Sequence, residues 1–144
     1  MTSVVVRGGP DLKQEIVARD KTIVADEPAE VGGTDEGPTP YELLLGALGA
    51  CTAMTVVLYA KRKGWAIERV TVELEHDRVH AEDCAACDDN DVFLDRVRKR
   101  ITVEGPLHED QRARLEEISR KCPVQRTLVG SVRIEDELVL GAYQ

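Results

Sequence analysis

Aromatic residues are scarce in this chain: one Trp, one Phe and three Tyr among 144 residues. That is too few to build a platform on which nucleobases stack. Basic residues are also outnumbered, with 19 Lys and Arg against 27 Asp and Glu and a net charge of −8. A surface of that sign repels phosphate backbones and anionic headgroups, so neither nucleic acid nor a membrane is an expected partner. There is no internal repeat and no low-complexity tract. No secretory leader is expected either, because the apolar run at Val4–Val6 stops at Arg7-Gly8-Gly9-Pro10. The expected compartment is the cytoplasm. Cysteine is limited to Cys51, Cys84, Cys87 and Cys122. In a reducing compartment these are redox, metal-binding or inert residues rather than permanent bridges.

What is present suits a single domain over 1–144. The length allows a moderate core, and 42% hydrophobic with 32% charged residues is a folded rather than a disordered composition. One long apolar run stands out, from Leu43 to Ala60, with no charge inside it. Thr39 is a natural N-cap, Pro40 suits the first helical position, and Glu42 completes the capping-box spacing. Lys61, Arg62 and Lys63 favour the negative end of the helix dipole, and Gly64 suits the position just past the end. The spacing predicts a helix over 39–63. Being apolar on all sides, it is a buried helix or a membrane span. Strand patterns on both flanks favour a buried helix wrapped by sheet. Gly46, Ala47, Gly49, Ala50 and Ala53 leave room for close approach.

Strands are predicted over 3–25, with a hairpin turning at Arg19-Asp20-Lys21, followed by an acidic Gly- and Pro-rich loop to Pro38. A second pair of strands is predicted within 65–104. There Val70, Val72 and Leu74 alternate with Thr71, Glu73 and Glu75. A polar excursion carrying Cys84 and Cys87 separates the two strands. An amphipathic helix over 108–121 ends at Cys122-Pro123, with a short helical turn at 126–129, and a last strand covers 131–139. Strand runs punctuated by helices make this an α+β fold with a largely antiparallel sheet. His76 and His108 read as surface residues.

Cysteine is the chemistry-bearing residue here. Cys51 lies in the apolar helix, where a lone thiol ordinarily serves as a small hydrophobe. Cys122 lies at a helix end before a proline, where the chain can bend. One sulfur held fixed and a second able to reach it is what a reactive pair requires, if the fold brings them together. A separate pair, Cys84 and Cys87 with His80 nearby, has the spacing of a metal knuckle or a dithiol motif. No second ligand pair follows to close a zinc site. The alternatives of incidental cysteines, zinc and redox chemistry stay open for this pair.

The stretch from Gly37-Pro38-Thr39-Pro40-Tyr41-Glu42 through Gly49-Ala50-Cys51-Thr52, the upstream Asp26-Glu27-Pro28 with Gly32-Gly33, and the downstream Lys121-Cys122-Pro123-Val124 with Arg126-Thr127-Leu128 resemble the OsmC/Ohr family of thiol peroxidases. The resemblance covers residues 22 to 138. It implies an intertwined homodimer with each central helix packed between sheets, and reduction of organic hydroperoxides and, more weakly, hydrogen peroxide. Cys51 matches the peroxidatic cysteine and Cys122 the resolving one. A thiol or lipoyl-type external dithiol is the implied reductant, with no bound cofactor. The family's activating arginine comes from the N-terminal region, where Arg19 is preferred over Arg7. The glutamate that orients it matches Glu42, nine residues before Cys51, although Tyr41 stands at the ten-residue spacing of the peroxide-specialised branch. Gln125 stands where relatives often carry histidine. A rival on the same fold is a protein that binds a small apolar or acyl ligand. A second rival is a zinc-dependent role through Cys84 and Cys87.

Overall fold

The computed structural model describes residues 1–80 and 93–141. Cys84 and Cys87 lie outside the described residues, as does the side chain of His80. Strands β1 (Val5–Arg7), β2 (Gln14–Ala18) and β3 (Lys21–Ala25) form an antiparallel sheet in that order. The β2–β3 hairpin pairs Ala18 with Lys21, so Arg19 and Asp20 make the turn. Arg19 takes φ 57°, the left-handed region that two-residue hairpin turns demand.

The acidic loop that follows is organised by Asp26. Its buried carboxylate accepts hydrogen bonds from the Thr34 hydroxyl at 2.8 Å and from the backbone N–H groups of Glu27 at 2.8 Å and Glu36 at 3.2 Å. The Thr34 hydroxyl is the largest cause that holds this carboxyl below its ordinary value, followed by the Glu27 N–H. Burial opposes them.

Helix α1 runs Pro40–Lys63 with the full capping box. Thr39 Oγ1 accepts from the Glu42 N–H at 3.2 Å, and the Glu42 carboxylate accepts from the Thr39 N–H at 2.9 Å. A cap of this kind contributes about 1 kcal/mol. Gly64 closes the helix at φ 72°. By length and composition α1 could cross a bilayer, but here it packs against β4 (Arg69–His80), α2 (Glu109–Ser119) and α3 (Pro123–Val129). Leu48, Gly49, Thr52, Val56 and Ala60 form its buried stripe. The opposite face, with Met54 and Leu58, is exposed, and Leu44 and Tyr41 nearer the start of the helix are exposed as well. The expectation of a helix buried all round therefore fails within one chain, whose own sheet covers only one side of it.

Strands β4 (Arg69–His80) and β5 (Phe93–Glu104) form a long antiparallel pair. Val70, Val72, Leu74 and His76 face the same side as their partners Val103, Ile101, Lys99 and Val97. Gly49 lets α1 settle onto this face, because a Cβ there would stand 2.7 Å from the Leu74 side chain. His76 is not a plain surface residue. Its ring stacks on Tyr41 with centroids 4.5 Å apart and lies 2.9 Å from the Asp95 carboxylate.

Helix α2 (Glu109–Ser119) closes the core of Val56, Ala60 and Leu115, flanked by Tyr59, Trp65, Ile67, Val70, Val103 and Leu107. Arg112 ties it to the end of β5 by donating to the carbonyls of Val103 at 2.6 Å and Gly105 at 3.0 Å. Helix α3 (Pro123–Val129) follows one turn later. The strand expected over 131–139 is not formed. Residues 131–141 have no regular structure, and Val132, Ile134, Leu138 and Val139 are exposed. A strand needs a neighbouring edge to complete its ladder, and no strand of the described chain pairs with this segment.

Candidate active site

The fold brings together four elements around two sulfurs. The buried stripe of α1 carries Thr52 inward and Cys51 beside it, half-buried. The α2–α3 junction supplies Cys122 as the N-cap of α3, fully buried. The inner face of β5 supplies Lys99.

Cys122 Sγ accepts hydrogen bonds from the Gln125 backbone N–H at 3.3 Å and from Thr52 Oγ1 at 3.5 Å. Burial pushes this thiol up. The Thr52 hydroxyl, the Gln125 N–H, the nearby Cys51 thiol and the Lys99 ammonium outweigh it, so Cys122 ionises more readily than an ordinary thiol. Both cysteines are free.

Lys99 Nζ donates to Thr52 Oγ1 at 2.9 Å, to the Ser119 carbonyl at 3.1 Å and to Gln125 Oε1. An ammonium has three N–H donors, and here each meets an oxygen. Burial lowers the Lys99 pKa, while the two thiols raise it and Arg120 lowers it further. Ser119 is itself buried, with its hydroxyl donating to the Glu116 carbonyl at 2.6 Å.

The other residues singled out from sequence lie elsewhere. Arg19 is exposed at the β2–β3 turn. Glu42 is exposed at the start of α1 with its carboxylate in the capping box. Among the described residues no cluster of His, Cys, Asp and Glu could hold a metal ion. Sequence reasoning missed Lys99 and Thr52. The signal for Lys99 was present: in the alternation Val97, Lys99, Ile101, Val103, a lysine occupies a position where the inner face calls for an apolar residue.

The family model described as OsmC-like protein matches residues 33–137. The chain belongs to the OsmC/Ohr family. Among solved structures, the OsmC-like protein of Mycoplasma pneumoniae is 20% identical with a TM-score of 0.71, covering 90% of this chain and 88% of that one. A Psychrobacter arcticus protein named for osmotic stress induction and detoxification is 23% identical, TM-score 0.67, with 88% of each chain covered. The Legionella pneumophila organic hydroperoxide resistance protein OsmC is 18% identical, TM-score 0.64, with 90% of each covered. At these identities the likeness to other OsmC/Ohr structures is one of fold. None of the curated proteins compared matches the chain.

Proposed function

We infer that this OsmC/Ohr chain acts in the redox stress response as a cysteine-based peroxidase. Its substrates are organic hydroperoxides and, less efficiently, hydrogen peroxide. The reading is carried by one observation: the packing of α1 against the α2–α3 junction sets a half-buried Cys51 beside a buried Cys122. The Cys51 sulfur attacks the distal peroxide oxygen. An S–O bond forms, the O–O bond breaks, and the alcohol leaves. Cys122 then attacks the sulfenic acid sulfur, forming the disulfide and releasing water. An external dithiol of thiol or lipoyl type reduces the disulfide, with no bound cofactor.

The working unit is a homodimer. The bare face of α1 and the exposed Val6 and Ile23 of the N-terminal sheet cover one another across two chains. In that assembly the Arg19 hairpin lies over the partner's α1. Arg19 then acts on the thiolate from outside, and Glu42 serves first as the helix cap.

The test is to add cumene hydroperoxide to reduced protein and map the disulfides formed. A Cys51–Cys122 bridge with peroxide loss that disappears in Cys51→Ser is the expected result. Undiminished turnover in Cys51→Ser overturns the reading, and a Cys84–Cys87 bridge moves the chemistry to that pair.

A further inference from the structure

We propose that Lys99 is a positioning residue for the resolving step. Its three N–H groups staple the corner that carries Cys122 to α1 beside Cys51, and so set the rate at which the Cys122 sulfur attacks the Cys51 sulfur. This role deepens the peroxidase reading and rests on it for turnover. The staple itself is a property of the reduced chain with no peroxide present.

Three helices meet at Lys99 Nζ, each giving one oxygen. The ammonium donates to Thr52 Oγ1 on α1 at 2.9 Å, to the carbonyl of Ser119, the last residue of α2, at 3.1 Å, and to Gln125 Oε1 on α3. Cys122 lies between the last two of these, in the corner 120–122 that joins α2 to α3. The bonds to Ser119 and Gln125 therefore tie both sides of that corner to one point. The bond to Thr52 ties the same point to the residue that follows Cys51. The point itself is fixed by the sheet. Lys99 stands on the inner face of β5, opposite Leu74, in a strand paired with β4 along its whole length. Groups held by strands are placed more precisely than groups held by turns. A lysine suits the place, because its long stem reaches across to the corner and its ammonium offers three separate donors.

The hydrogen bonds of Lys99 all go to oxygen, so it acts on Cys122 through the two residues that touch the sulfur. Gln125 gives its backbone N–H to Cys122 Sγ at 3.3 Å and its side-chain oxygen to Lys99. Thr52 directs its hydroxyl at Cys122 Sγ at 3.5 Å and accepts from Lys99. Both contacts that seat the sulfur are thus anchored to the same ammonium. In the resolving step the Cys122 thiolate attacks the sulfur of the Cys51 sulfenic acid. The S–S bond forms, the S–O bond breaks, and the departing hydroxide takes a proton to become water. Such an attack within one chain gains its speed from alignment, and a misplacement of about 1 Å can cost about a hundredfold. Without the staple the corner shifts while Cys51 keeps its place on α1. Cys51 then reacts with the first oxidant as before but waits longer for Cys122. A sulfenic acid that waits meets a second peroxide and passes to the sulfinic acid.

The experiment uses reduced protein carrying Cys84→Ser and Cys87→Ser, with dithiodipyridine as the oxidant in place of peroxide. Cys51 attacks the reagent, forming a mixed disulfide and releasing one thiopyridone. Cys122 then attacks the Cys51 sulfur, closing the bridge and releasing a second. Stopped-flow absorbance separates the two, since the second release does not depend on reagent concentration. Rates are compared on the high-pH plateau, where Cys122 is fully ionised and a change in its acidity does not register. We expect Lys99→Met to slow the second release about ten- to a hundredfold and to leave the first within about twofold. Gln125→Met slows the second release too, and the double variant is no slower than the slower single one, as for two ends of one contact. A second release at the wild-type rate in Lys99→Met overturns the positioning role, and so does equal slowing of both releases. Should Lys99→Met fail to fold, Gln125→Met decides alone by the same two outcomes. A wild type with no second release sinks the staple outright. A wild type that consumes no peroxide but shows a Lys99-dependent second release sinks the peroxidase reading and keeps the staple. Peroxide turnover with a second release indifferent to Lys99 sinks the staple alone.

Discussion

Thr52 shows how much a single side chain decides in this fold. Its oxygen accepts from Lys99, and its one hydrogen faces two acceptors, the Leu48 carbonyl at 2.9 Å and Cys122 Sγ at 3.5 Å. A buried threonine that bonds back to the preceding turn is common, but one that also touches a cation and a sulfur is a junction. Thr52→Val keeps the shape and removes the hydroxyl. It leaves one N–H of half-buried Lys99 and the buried Cys122 sulfur each short of a partner. Urea unfolding is expected to show a loss of about 1–3 kcal/mol, the ordinary cost of orphaning buried polar groups. An unchanged midpoint would mean that these groups find other partners.

Among the elements, those with local rules were readable in advance. The caps of α1 follow from Thr39, Pro40, Glu42 and Gly64 alone, and the β2–β3 hairpin from its flanking alternation. What escaped were positions whose meaning depends on a distant neighbour. Lys99 reads as one more charge in Arg96-Val97-Arg98-Lys99-Arg100 until the register with Leu74 places it inside. The meeting of Cys51 with Cys122 likewise has no local sign, since 71 positions separate them in the chain. The tail at 131–139 has strand-like composition, yet composition does not supply the edge it must join. The acidic loop offers a test at this scale. Asp26 is depressed below 3.8 in the folded chain by the Thr34 hydroxyl and the N–H groups around it. A carboxyl shifted down contributes fully above its ordinary value, and the contribution fades as pH falls through the folded value. Asp26→Asn should therefore be less stable than wild type at pH 7, with the gap closing below 3.8. Urea titrations at pH 7 and pH 3 check it, and a gap that stays constant with pH would remove Asp26 as the loop's anchor.

On the scale of the whole molecule, the unfinished surfaces dominate. Met54 is 64% exposed and Leu58 58% on the outer side of α1. Isolated apolar side chains on a surface need no explanation, but a continuous helical face together with a bare sheet does. If the chain forms the homodimer proposed above, Leu58→Glu should halve the mass seen by sedimentation equilibrium; a wild type that sediments as one chain overturns the homodimer, and a variant that sediments like a dimeric wild type places the subunit contact elsewhere. The unequal enclosure of the two sulfurs has a last consequence, for recycling. In the proposed peroxidase cycle, a reductant arriving from bulk solvent meets only the outer atom of the Cys51–Cys122 bridge. It becomes joined to Cys51 and expels Cys122, whose lowered thiol pKa suits a leaving group. Which mixed disulfide accumulates is thus fixed by packing rather than by the reductant.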